Sequence, residues 1–160
     1  MPPLNHAVLS ASLAYRWLEC PPSALATADI PDETTIYAQE GSAAHEMAEY
    51  KIRWHLGEKD LAPPNIGNFH AEEIDRYTDS YAYYATDKIE TIRKICPDAI
   101  VMVEQRLDFS NYVKDGFGTG DLVIVADDVM QVIDFKYGKG VTVSACLLYT
   151  SPSPRDRQKS

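Results

Sequence analysis

The sequence predicts a mixed α/β chain of the α+β kind, with N-terminal helices followed by a three-stranded β-meander. Two observations carry this expectation. Up to about residue 95, apolar residues recur at helical spacing. From Ile100 onward the period changes to two, in runs of β-branched residues separated by turn residues.

The elements follow in order. Ser10 is placed to cap a helix over SASLAYRWLEC, where Leu13, Ala14, Trp17 and Leu18 share a face, and Pro21-Pro22 stops it. A loop rich in Pro, Asp and Thr runs to about residue 40. GSAAHEMAEYKIRWHLG predicts a second helix, with Ser42 as cap and Gly57 as terminator. The connector EKDLAPPNIGN precedes a long third helix over roughly 70–95, with Ile74, Tyr77, Tyr81, Tyr84 and Ile92 as its apolar stripe. IVMVEQRL is the first strand and DFSNYVKDGFGTG a loop, after which DLVIVA and VMQVIDFK form a hairpin about Asp127-Asp128.

Composition narrows the function classes. The 160 residues are 45% hydrophobic and 24% charged, which is ordinary for a globular domain. No apolar run approaches the roughly 18 residues of a membrane span, so no membrane partner is expected. The start MPPLNHAVLSAS is unlike a signal peptide, and three cysteines are too few for a disulfide framework; a cytoplasmic location is expected, in a bacterial or phage-infected cell. The net charge of −9 argues against a broad phosphate-gripping surface.

The hairpin GTGDLVIVADDVMQVIDFKYGKG, residues 118–140, holds the most informative residues. If Ala126 pairs with Val129, Asp121 stands opposite Asp134, and Lys136 shares their face. Opposed carboxylates repel, and a hard divalent cation such as Mg²⁺ or Mn²⁺ relieves that repulsion. A nearby lysine then suits phosphodiester hydrolysis, by orienting water or stabilising negative charge. The structural alternative makes Asp121 and Asp134 strand-end residues and Lys136 a solvated edge charge.

GTGD followed by IDFK resembles the active-site strands of the PD-(D/E)XK nuclease superfamily, in its RecB-like and CRISPR-associated exonuclease branch with its prophage-encoded relatives. LSASLAYRWLECPPSA (9–24), GSAAH (41–45) and VEQRL (103–107) are similar to further segments of that branch, in the expected order. The resemblance spans nearly all of 1–145. It implies His45, Asp121 and Asp134 as metal ligands, Lys136 as catalytic lysine and Glu104 near the site. It also implies a restriction-endonuclease-like core, truncated because the family's Q-x-x-x-Y helix is missing. Cys20 matches one ligand of an iron–sulfur cluster whose other cysteines lie near the C-terminus in the family, so a cluster is expected only in a full-length form.

Residues 146–156, CLLYTSPSPRD, resemble the translation of a transposon-library sequencing adapter. The expectation is a nuclease domain over 1–145, incomplete at its C-terminus, and a non-native tail over 146–160. That tail carries +2, which leaves −11 on residues 1–145.

The expected function is a divalent-metal-dependent DNA exonuclease of phage recombination or DNA processing, inactive or incomplete in this chain, with linear DNA or single-stranded ends as partner. Two alternatives remain. One is a non-catalytic DNA-binding or assembly module with a nuclease-like fold, which the acidic charge favours. The other is a metalloprotease, suggested by HEMAEY (45–50), although Glu49 stands where the zinc-protease pattern needs a second histidine. The tyrosines of the third helix could stack on bases, or pack in the core.

Overall fold

A computed structural model describes residues 7–10, 14–26, 35–67 and 69–138. The tail assigned to 146–160 lies outside the described residues. The elements are α1 (Ala14–Glu19), α2 (Pro22–Ala26), α3 (Ile36–His55), α4 (Ala71–Ile95), β1 (Ile100–Asp108), β2 (Phe117–Ala126) and β3 (Val129–Ile133). Helices therefore precede a three-stranded sheet, as the change of period predicts, with strand order β1-β2-β3.

The chain divides into two compact units. One takes the residues up to Glu33 with Arg106–Gly120; the other takes Thr34–Gln105 with the chain from Asp121 onward. In the first unit, Trp17 Nε1 donates to the Ser10 carbonyl at 2.9 Å. A short helix, α2, stands where a loop was expected. It opens on Pro22, whose fixed φ and missing N–H cost nothing at a first helical position.

The second unit holds the main core. Ala44, Met47, Ala48 and Ile52 of α3 meet Ile74, Tyr81, Ala82, Ala85 and Ile89 of α4, with Leu122 and Ile124 of β2 against them. Helix α3 begins earlier than Ser42 because Thr35 is its cap, accepting a hydrogen bond from the Ala38 N–H. Ser42 then lies inside the helix and donates its hydroxyl to the Ala38 carbonyl at 3.1 Å. Gly57, the expected terminator, follows the cap residue Leu56 at φ +107, in the left-handed region that favours glycine.

Helix α4 has the predicted bounds but a shifted buried stripe. Thr78 and Ala85 are fully buried, whereas Tyr77 is exposed. Small residues there let α4 sit close to its neighbours. The Thr78 hydroxyl satisfies itself on the Ile74 carbonyl at 2.7 Å. Lys51 of α3 ties the helices together, reaching Asp75 at 3.1 Å and Asp79 at 2.6 Å.

The hairpin has the expected register, running from Ala126↔Val129 to Leu122↔Ile133. Its two-residue turn puts Asp127 at φ 46, a conformation aspartate tolerates better than most residues. The ladder ends at Leu122↔Ile133, so Asp134 to Lys136 lie just beyond β3.

Candidate metal centre

Three of the residues singled out from the sequence, His45, Glu104 and Asp121, converge from three elements. His45 is on α3, beside the buried Ala44 and one turn from Ala48, so the helix anchors it at the edge of the core. Asp121 precedes Leu122 and Val123, both fully buried in β2. Glu104 follows the buried Val103 in β1. His45 Nδ1 lies 3.5 Å from Asp121 Oδ1 and 3.8 Å from Glu104 Oε1. One ligand atom from each of the three lies within 4.8 Å of the others.

That spacing fits a small cation. With bonds of about 2.1 Å, octahedral ligand atoms stand about 3.0 Å apart when adjacent and about 4.2 Å when opposite. The two measured distances fall between those values. An imidazole with two carboxylates is a donor set that Mn²⁺ accepts as readily as Mg²⁺.

Each candidate ligand is held by a further contact. Asp121 uses its second oxygen, Oδ2, to accept the Phe135 N–H. This bond replaces the ladder rung that would otherwise come next, and it orients the carboxylate. The Phe135 ring meets the His45 ring edge-on, with centroids 5.3 Å apart.

Glu104 sits at φ 49, a left-handed residue inside a strand, which is the geometry that bulges use to re-aim a side chain. Arg53 of α3 supports that bend. Its Nη2 donates to the Val103 carbonyl at 3.1 Å, while Nε and Nη1 pair with Glu49 at 2.8 Å and Glu58 at 3.4 Å.

Electrostatics mark His45 as the unusual group. Burial pushes the imidazole down, but hydrogen bonding and the charges of Asp121 and Glu104 outweigh it, raising its pKa to about 9. The ring is therefore a cation at neutral pH and occupies, as a proton carrier, the position a metal ion would neutralise.

Asp134 and Lys136 behave differently from the clustered three. Beyond the ladder the chain alternates, so Phe135 and Tyr137 turn towards α4 while Asp134 and Lys136 face away. Phe135 stacks on Tyr81 at 4.7 Å, and Tyr137 meets Tyr77 edge-on at 6.0 Å. Lys136 Nζ pairs with Asp134 Oδ2 at 2.9 Å, and both side chains are about half exposed, at 53% and 54%. The structure thus groups His45, Asp121 and Glu104, and places the Asp134–Lys136 pair beyond the end of β3.

Of the remaining sequence candidates, Glu49 pairs with Arg53 rather than with His45. Cys20 is exposed and Cys96 buried, and neither is in a disulfide. Among the described residues no helix is long and apolar enough to cross a membrane.

Phe135, Arg53 and Tyr81 were not anticipated as parts of the site. Phe135 had a signal in its parity, since it lies between two outward residues and must point inward. Arg53 had one in its i,i+4 spacing from Glu49.

A protein family described as "Protein of unknown function (DUF2800)" matches residues 6–155, nearly the whole chain. No solved structure matches it.

Proposed function

The chain belongs to this family of proteins of unknown function, and from that premise we propose that it is a divalent-cation-dependent DNA nuclease acting on linear DNA or single-stranded ends. The observation that carries this reading is the convergence of His45, Glu104 and Asp121 from three elements, at distances that suit one small ion. A Mg²⁺ or Mn²⁺ ion bound there would supply Lewis acidity and lower the pKa of coordinated water.

The chain's own residues do the rest. Asp121, locked by the Phe135 N–H, and Glu104, aimed by its left-handed backbone, hold two negative ligands at fixed positions. His45 would hold such an ion through its neutral imidazole. Lys136 presents an exposed ammonium, tethered by Asp134, that can pair with a phosphodiester oxygen and with the charge that grows on it during hydrolysis. The order of motifs in the sequence, which resembles the PD-(D/E)XK nucleases, supports the same assignment of roles.

The second reading is a non-catalytic DNA-binding or assembly module. The net charge of −9 favours it, as does the pairing of Lys51 and Arg53 with carboxylates, which leaves them little charge for phosphates. Incubation of a full-length form with end-labelled linear DNA and Mn²⁺ separates the two. The nuclease reading expects cation-dependent loss of label that chelator and Asp121→Asn both abolish. DNA and Mn²⁺ binding without any cleavage would replace it with the second reading.

A further inference from the structure

Tyr81, in the middle of α4, has a ring and a hydroxyl that answer to different demands. The ring belongs to the core: the residue is 7% exposed and stacks on Phe135 with an interplanar angle of 27°. The hydroxyl is buried and makes no hydrogen bond among the described residues. A buried phenol normally finds a partner, and one without a partner lowers stability. Phenylalanine would fill the same space with no such penalty, so packing explains the ring and not the oxygen.

The surroundings indicate what the oxygen is for. Phe135, on which the ring stacks, is the residue whose N–H orients Asp121 and whose ring touches His45. Burial, and then the negative charges of Asp121, Asp134 and Glu104, push the phenol well above its ordinary range, so it stays protonated. The hydroxyl is therefore a donor and acceptor with no hydrogen-bond partner among the described residues, on a ring stacked against the residue that contacts both Asp121 and His45. A water oxygen would satisfy it.

We propose that Tyr81 is a further residue of the cation site, positioning from α4 a water molecule in the cation's coordination shell. Mg²⁺ and Mn²⁺ bound by few protein ligands retain several waters, and each such water has protons to place. A phenol oxygen accepts a hydrogen bond from one of these waters and keeps its own hydrogen for a second water. Tyr81 acts through that water, so its role is positioning. The inference rests on the cation reading of His45, Glu104 and Asp121.

The test compares the 160-residue chain with its Tyr81→Phe and Asp121→Asn variants. Mn²⁺ binding is followed by electron paramagnetic resonance and by water-proton relaxation, and thermal unfolding is measured without cation. Tyr81→Phe should melt no lower than the parent, because its ring and stack are kept and an unsatisfied oxygen is gone. It should nevertheless bind Mn²⁺ about tenfold more weakly, as lost outer-sphere partners do, with altered relaxation per bound ion. Asp121→Asn should lose Mn²⁺ binding. If Tyr81→Phe binds Mn²⁺ like the parent, with the same relaxation, the tyrosine proposal is overturned and the cation site stands. If the parent binds no Mn²⁺, or Asp121→Asn binds it equally, the cation reading fails and takes the proposal with it.

Discussion

At the proposed cation site a proton and a metal ion would compete for His45, and that competition sets two opposite pH dependences. The imidazole holds its proton up to about pH 9 because Asp121 and Glu104 outweigh the effect of burial. A cation binds only the neutral ring, whose fraction changes about tenfold per pH unit below that value. Mn²⁺ affinity should therefore rise about a hundredfold between pH 6.5 and pH 8.5, with one proton released per ion.

Stability without cation runs the other way. The folded pKa lies above the ordinary 6.5, so the stabilisation is whole below about pH 6.5 and is lost as pH rises through about 9. The full difference corresponds to at most about 3.4 kcal/mol, and solvent screening at a side chain 32% exposed reduces it to about 1–2 kcal/mol. Anaerobic Mn²⁺ titrations and urea unfolding in chelator, both at several pH values, read the two slopes. A Mn²⁺ affinity that stays flat from pH 6.5 to 8.5, or a cation-free stability that does not fall towards pH 9, would refute the reasoning.

Three further outcomes follow from the same geometry. Arg53→Met should weaken Mn²⁺ binding several-fold by releasing the Val103 carbonyl, and a double-mutant cycle should show no added loss in a Glu104→Ala background. Asp134→Ala should change stability by less than about 1 kcal/mol, since its partner Lys136 is half exposed, and should leave most Mn²⁺ affinity intact where Asp121→Asn removes it. Ile52→Ala, at a residue only 1% exposed between α3 and α4, should cost about 2–5 kcal/mol in urea unfolding.

The parts of the structure legible in the sequence are those set by local rules. A two-residue turn admits one register, so the ladder from Ala126↔Val129 to Leu122↔Ile133 could be read directly. The third helix was legible because its apolar period runs for 25 residues. The start of α3 was not, because Gly41 and Ser42 look like a boundary, while Thr35 caps the helix seven residues before Ser42 and core packing at Ala43, Ala44, Met47 and Ala48 carries the helix through. Parity placed Asp134 with Asp121, but the ladder stops one residue short of that pair. The Phe135 N–H then takes the Asp121 carboxylate, and Asp134 turns to Lys136. Nothing in VEQRL signals that Glu104 is left-handed, because that conformation is imposed by distant residues such as Arg53.

The backbone at Glu104 makes this position answer to two rankings that disagree. Judged by folding alone, glycine should be the best residue there, asparagine and aspartate next, and glutamate poor, since only the first three visit φ near +50 at little cost. Judged by cation binding, only the two carboxylates survive. A saturation library at codon 104, sorted once for stability and once for Mn²⁺ retention, should therefore return nearly inverted orders. Aspartate alone stands high in both, and its shorter side chain would measure how far the glutamate has to reach.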